Sequence, residues 1–235
     1  MNTIYCVNNS TLLKTNDMIL MITALNTLLP AFCATWSTKK YNVAIAPVNF
    51  KATGAYCIFA DNADVGGALA YHTETLNIPV SKIFVKTVLK YGGAILLGAT
   101  NSVATVAQAF SHEIFEMIAN MNVNIWWQLN SGYLVPGEVC DPVQGNMVRV
   151  SVGSAVVGLS DYVLPDWADP QATKGPYNYL NTLRRPFTLA RGGYVALMRN
   201  GTINNVFGME ASDYVKEYGE NNRVHIMASA CAKCH

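Results

Sequence analysis

One segment constrains this chain more than any other. Residues 101–120, NSVATVAQAFSHEIFEMIAN, place Val103, Val106, Ala107, Phe110, Ile114, Met117 and Ile118 within about 100° of one another on a wheel of 3.6 residues per turn. That spacing predicts a helix with one apolar stripe against a core. His112 and Glu116 are four residues apart and so project from the same side of the helix. They fall at about 180° and about 220° from the stripe, so the expectation is that they face a cleft while the opposite face anchors the helix. Two donors in that position suit a metal ion, and Glu113 between them projects to the side, where it could take a proton from water on the metal. The pattern is H-E-x-x-E. A carboxylate in place of the second histidine of H-E-x-x-H adds negative charge, which lowers the metal's Lewis acidity and raises the pKa of its water.

A third ligand must come from downstream. Glu138-Val139-Cys140-Asp141-Pro142 is the acidic cluster at a suitable distance, with Asp141 the first choice and Glu138 the second. His112, Glu116 and Asp141 would leave the open position that a catalytic zinc needs, with the other carboxylate bonded behind them. In Tyr71-His72, after a Gly-rich stretch, either side chain could line the cleft and steady an oxyanion or bind substrate; the alternative is that His72 is a hydrogen-bonded loop residue.

Around this helix the pattern is α/β, or α+β in arrangement. Residues 3–7, 41–48, 55–60 and 82–88 read as strands, and 61–72 as a loop or irregular edge strand. Residues 18–32, MILMITALNTLLPAF, carry apolar positions at helical spacing, with Asn16 or Asp17 able to cap the start and Pro30 limiting the end. Thr23, Asn26, Thr27 and Pro30 make this stretch too short and too polar to span a bilayer, and Asp17 beside it argues against a signal peptide, so a core helix is expected. Residues 126–145 read as a long loop, 147–152 and 155–164 as a hairpin around Gly153-Ser154, and 193–198 and 205–209 as further strands. With no repeat or linker, the expectation is one domain over residues 1–222: a sheet and helix to 125, a loop-rich β half over 126–222, then a tail over 223–235.

Only 13% of the 235 residues are charged and 51% are hydrophobic, with a formal net charge of +1. No basic run offers a footprint for a phosphate backbone, so no nucleic-acid partner is expected. So weakly charged a surface favours a homo-oligomer or a place in a larger assembly.

Several short motifs run through the chain in order. They are Val7 to Thr11 (V-N-x-S-T), Gly67 to His72 (G-A-L-x-Y-H), Lys82 to Val85 (K-x-F-V) and Ser111 to Met117 (S-H-E-x-x-E-M). Glu138 to Pro142 (E-V-C-D-P), Ser160 to Trp167 (S-D-Y-V-x-P-x-W) and Pro186 to Tyr194 (P-F-x-L-x-x-G-G-Y) follow. In these the chain resembles a group of proteins from bacteria and tailed phages. The resemblance implies a zincin-like domain, hence a zinc peptidase-like protein acting on protein or peptide substrates. The same resemblance suits a virion structural protein, a capsid decoration, head or tail component whose partners are other virion proteins. Virion or cytoplasm is the expected location, with no membrane segment. Because the likeness begins near residue 3, it also speaks against a cleaved signal.

The last five residues, Cys231-Ala232-Lys233-Cys234-His235, spell C-x-x-C-H, the attachment pattern of c-type haem. Without an export signal or a following segment to enclose it, haem is not expected; a zinc clip or a packed tail fits better. Cys6 and Cys57 read as small core hydrophobes, and Cys140, between two acids, is discouraged from becoming a thiolate.

Overall fold

The computed structural model describes residues 2–98, 104–129 and 132–208. The terminal C-x-x-C-H and Met209 lie outside the described residues.

The fold is α+β. Strand β1 (Asn2–Asn8) leads into helix α1 (Thr15–Thr35), then β2 (Tyr41–Ile45) and β3 (Tyr56–Ala60). Strands β4 (Ala70–Thr75) and β5 (Ile78–Phe84) form a hairpin that completes a five-stranded sheet of order β2-β1-β3-β5-β4. All neighbours are parallel except the edge pair β4 and β5. Ser10, Thr11 and Asp61 show why the opening motif has its form: the Ser10 and Thr11 hydroxyls and the Thr11 N–H all donate to the Asp61 carboxylate. These bonds, which hold the Asp61 pKa below its usual value, pin the link from β1 to α1 onto the end of β3.

Helix α2 (Val85–Lys90) follows β5 directly. The strand expected over 82–88 is therefore corrected: β5 begins earlier, at Ile78, and the chain turns helical at Val85. The hairpin turn that sets this register is Leu76-Asn77, both at positive φ, a two-residue turn without the glycine that normally announces it.

Helix α3 (Val106–Ala119) begins at Thr105, whose side chain accepts a hydrogen bond from the Gln108 N–H at 3.0 Å. It packs on β4 and β5 on one side and on the second strand of a hairpin, β8 (Met147–Val152) and β9 (Ala155–Ser160), on another. Helix α1 touches the same hairpin, β2 and α3, so the helices are enclosed between the sheet and the hairpin. Phe32, Phe115 and Tyr162 meet edge and face at 4.6 to 4.9 Å between ring centroids, and Phe59 meets Phe110 at 5.2 Å. Every residue of α3 from Val106 to Ile118 is buried. This corrects the expected cleft: the polar face of α3 is roofed over.

Two features of α1 also depart from expectation. It runs straight through Pro30 to Thr35, and Lys14, without a side-chain cap, stands where Asn16 or Asp17 was expected. Burial of Phe32 and Cys33 holds the last turn helical although Pro30 donates no hydrogen bond. At 21 residues, α1 is long and apolar enough to cross a membrane by length and composition, against the expectation of too short a segment, yet half of its most apolar stretch is buried in the fold. The residues 126–145 likewise hold more order than a loop. Here β6 (Trp126–Gln128) and β7 (Leu134–Pro136) join β10 (Tyr194–Arg199) and β11 (Thr202–Phe207) in a sheet of order β11-β10-β7-β6. Of the Pro and Gly residues that suggested a loop, Pro136 and Gly137 close β7, while Pro142 and Gly145 lie in and after the 3-10 turn that follows it.

Candidate metal centre

Three elements bring the site together. Helix α3 supplies His112, Glu113 and Glu116, the edge strand β4 supplies His72, and the segment after β7 supplies Glu138, Cys140 and Asp141. Asp141 opens a 3-10 turn, Asp141–Val143.

Neighbouring bonds fix these elements. The Gln108 side chain donates from Nε2 to the carbonyls of Gln144 (2.9 Å) and Asn146 (3.0 Å), tying the first turn of α3 to the chain just past Asp141. Ser111 Oγ accepts the Ser160 N–H at 2.7 Å and donates back along α3, which joins the helix to β9. The 3-10 turn is held from the far side by close backbone approach. A Cβ on Gly193 would lie 2.1 Å from the Pro142 carbonyl oxygen, and one on Gly145 would lie 1.9 Å from that of Arg191. Only glycine fits at either position, which accounts for Gly193 in the G-G-Y motif. Asp161, of the S-D-Y motif, accepts from Asn146, Asn178 and the N–H groups of Tyr162 and Leu180, so its work is in holding loops.

His112 Nε2 lies 3.1 Å from Glu116 Oε1 and 3.2 Å from Asp141 Oδ1. Glu116 Oε1 also accepts the Cys140 N–H at 3.2 Å, which fixes its rotamer. On the other side, His72 Nδ1 lies 3.1 Å from Glu113 Oε2 and 3.8 Å from Glu116 Oε2. His72 Nε2 lies 3.8 Å from Glu138 Oε2 and, although buried, makes no hydrogen bond among the described residues. His72, His112, Glu113, Glu116, Glu138 and Asp141 are thus together, each no more than 6% exposed. Tyr71 is elsewhere. As the neighbour of His72 on a strand it points to the opposite face, where its hydroxyl meets Asp64 at 3.0 Å and its ring packs against Phe84. It stands beside Lys82, away from the carboxylates, so an oxyanion role for Tyr71 has no geometric basis.

Burial alone pulls the His72 pKa down, but Glu138, Glu113 and Glu116 outweigh it and raise the value from 6.5 to about 9. The Cys140 thiol moves the other way in availability: burial, with Glu116, Asp141 and Glu113 nearby, pushes its pKa well above the ordinary value.

Four carboxylates and two imidazoles in a dry interior are costly unless further positive charge neutralises them, because even two protonated imidazoles leave two negative charges within the cluster. Among the described residues, two groups have ligand atoms close enough to hold an ion, all within 4.8 Å of one another: His112, Glu116 and Cys140, and His72, Glu116 and Glu138. The spacings of 3.1 and 3.2 Å about His112 Nε2 approach the edge of about 3.3 Å that ligand bonds of about 2.0–2.1 Å give in a tetrahedron. The residues therefore fit a metal ion, and imidazole with carboxylate suits zinc among several divalent transition metals. Cys140 escaped the sequence reading as a donor. The E-V-C-D-P motif was the available signal, and it drew attention to its acids.

No protein-family model, curated protein or solved structure matches the chain.

Proposed function

We propose that the protein is a metal-dependent hydrolase of peptidase type, zinc being the ion its donors suit best. The observation that carries this reading is His112 Nε2 held between Glu116 and Asp141, with the buried Nε2 of His72 lacking a hydrogen bond nearby. His112, Glu116 and Asp141 would hold the metal, which supplies polarisation of a scissile carbonyl and a lowered pKa for water. Glu113 is the proton acceptor in this reading, and its Oε2, 3.1 Å from His72 Nδ1, is held in place by that imidazole. Glu138 adds negative charge on the far side of His72, 3.8 Å from its Nε2. The resemblance to the phage and bacterial group supports a zincin-like fold, and the peptide-bond substrate class follows from the H-E-x-x-E helix in that setting.

A second reading is favoured by one observation. All six side chains are almost fully buried, and structural metal sites are closed where catalytic ones keep an open position. On this reading the metal braces a virion structural protein. Incubating the zinc-loaded full chain with an unfolded protein such as casein separates the two. Cleavage that stops on chelation, and that Glu113→Gln abolishes while zinc stays bound, supports the hydrolase. Bound zinc without cleavage contradicts the hydrolase in favour of the bracing role, and absence of bound metal removes both.

A further inference from the structure

We propose that the cluster holds two divalent cations bridged by the Glu116 carboxylate, one with His112 and Asp141 and the other with His72 and Glu138. The inference rests on the metal-binding reading above and deepens it.

The two oxygens of Glu116 serve different neighbours. Oε1 lies 3.1 Å from His112 Nε2, while Oε2 is turned toward the His72 ring, 3.8 Å from the Nδ1 that Glu113 engages. Glu116 is also common to the two groups whose ligand atoms converge within 4.8 Å, with His112 and Cys140 in one and His72 and Glu138 in the other, and Asp141 Oδ1 adds a carboxylate 3.2 Å from His112 Nε2. It is fully buried, and the Cys140 N–H bonded to Oε1 at 3.2 Å holds the carboxylate in this orientation. A carboxylate so placed can give one oxygen to each of two ions.

An independent observation marks the second position. His72 is 6% exposed, its Nδ1 is engaged by Glu113 at 3.1 Å, and its Nε2 faces Glu138 at 3.8 Å with no hydrogen bond. A metal-ligating histidine commonly donates its other ring N–H to a carboxylate, which fixes the tautomer and turns the bare nitrogen toward the ion. Glu113 and His72 have this arrangement. The distance from His72 Nε2 to Glu138 is too long for a good hydrogen bond and suits two ligands sharing an ion.

Charge leads to the same count. With both imidazoles neutral, as ligation requires, ionised carboxylates at Glu113, Glu116, Glu138 and Asp141 would carry four negative charges, which two divalent cations balance within the cluster. One cation leaves two of them over. Paired ions roughly 3.5–4 Å apart are a recurring hydrolytic arrangement, in which both ions steady the attacking and departing atoms.

The test uses the full chain carrying C231S and C234S, so that the terminal thiols bind nothing, stripped of metal and equilibrated with Mn2+ alone. Native mass spectrometry should count two ions per chain, and electron paramagnetic resonance should show an exchange-coupled pair. Glu138→Gln should lower the count from two to one. The spectrum of the unmutated cluster decides the matter if that variant does not fold. One ion, or two that are not coupled, overturns the bridged pair; a single ion leaves the single-metal reading standing. No bound ion with Mn2+, nor with Zn2+ in a parallel titration, overturns both.

Discussion

At the residue scale the protein concentrates its electrostatic tension in His72. Its pKa in the fold, about 9, lies above the unfolded value of 6.5. In the metal-free protein its contribution to stability is therefore complete below about pH 6.5 and is lost as the pH rises through about 9, a loss on the order of 3 kcal/mol. Urea unfolding of the metal-free chain from pH 6 to 10 should show that decline, and His72→Gln should flatten it. Metal uptake must expel the same proton, so affinity should strengthen over the interval in which metal-free stability falls. Ser111→Ala is a second test, since Ser160 N–H would lose its buried acceptor; a cost of about 1–3 kcal/mol is expected in the same assay. Of the cluster, the α3 donors were legible because four-residue spacing on a helix has one geometric meaning. Glu138 and Asp141 were legible as the acidic cluster downstream. The position of His72 beside Glu113 was not, because it depends on which strand lies next to α3, and Tyr71 was misplaced with it: on a strand the two neighbours part to opposite faces.

Between elements, the site depends on how closely the chain after β7 can approach its neighbours. Gly193 lies against the Pro142 carbonyl, immediately after Asp141. Gly193→Ala must push that turn away, and zinc affinity measured by chelator competition should fall about 10- to 100-fold while the helix content stays unchanged. The sequence made α1, α3 and the β8–β9 hairpin readable because each carries a strong period or a glycine turn. It hid the β4–β5 hairpin, whose Leu76-Asn77 turn lacks glycine, and the short β6 and β7, which pair with each other and join a larger sheet through β10 some sixty residues later. Pro30 inside α1 shows the same limit: a local breaker is overridden where Phe32 and Cys33 gain burial by staying helical.

For the whole molecule, β4 and the segment 138–141 cover the polar face of α3 while β9 packs on another side, which turns an amphipathic helix into a buried one and makes its acidic face a liability without a counter-charge. An ion bound to the native state alone should stabilise it by about 2.7 kcal/mol when present at about a hundred times its dissociation constant. Thermal unfolding should accordingly shift upward with zinc and return on chelation, and Glu116→Gln should remove most of the shift. The α+β class could be read from the alternation of periods along the chain, whereas the enclosure of the helix could not, since it arises from contacts between its two halves. The most direct test is diffraction from zinc-equilibrated crystals at the zinc absorption edge. An anomalous peak about 2 Å from His112 Nε2 and within bonding reach of Glu116 and Asp141 is the predicted result. Well-ordered side chains at these positions without a peak between them would contradict the account.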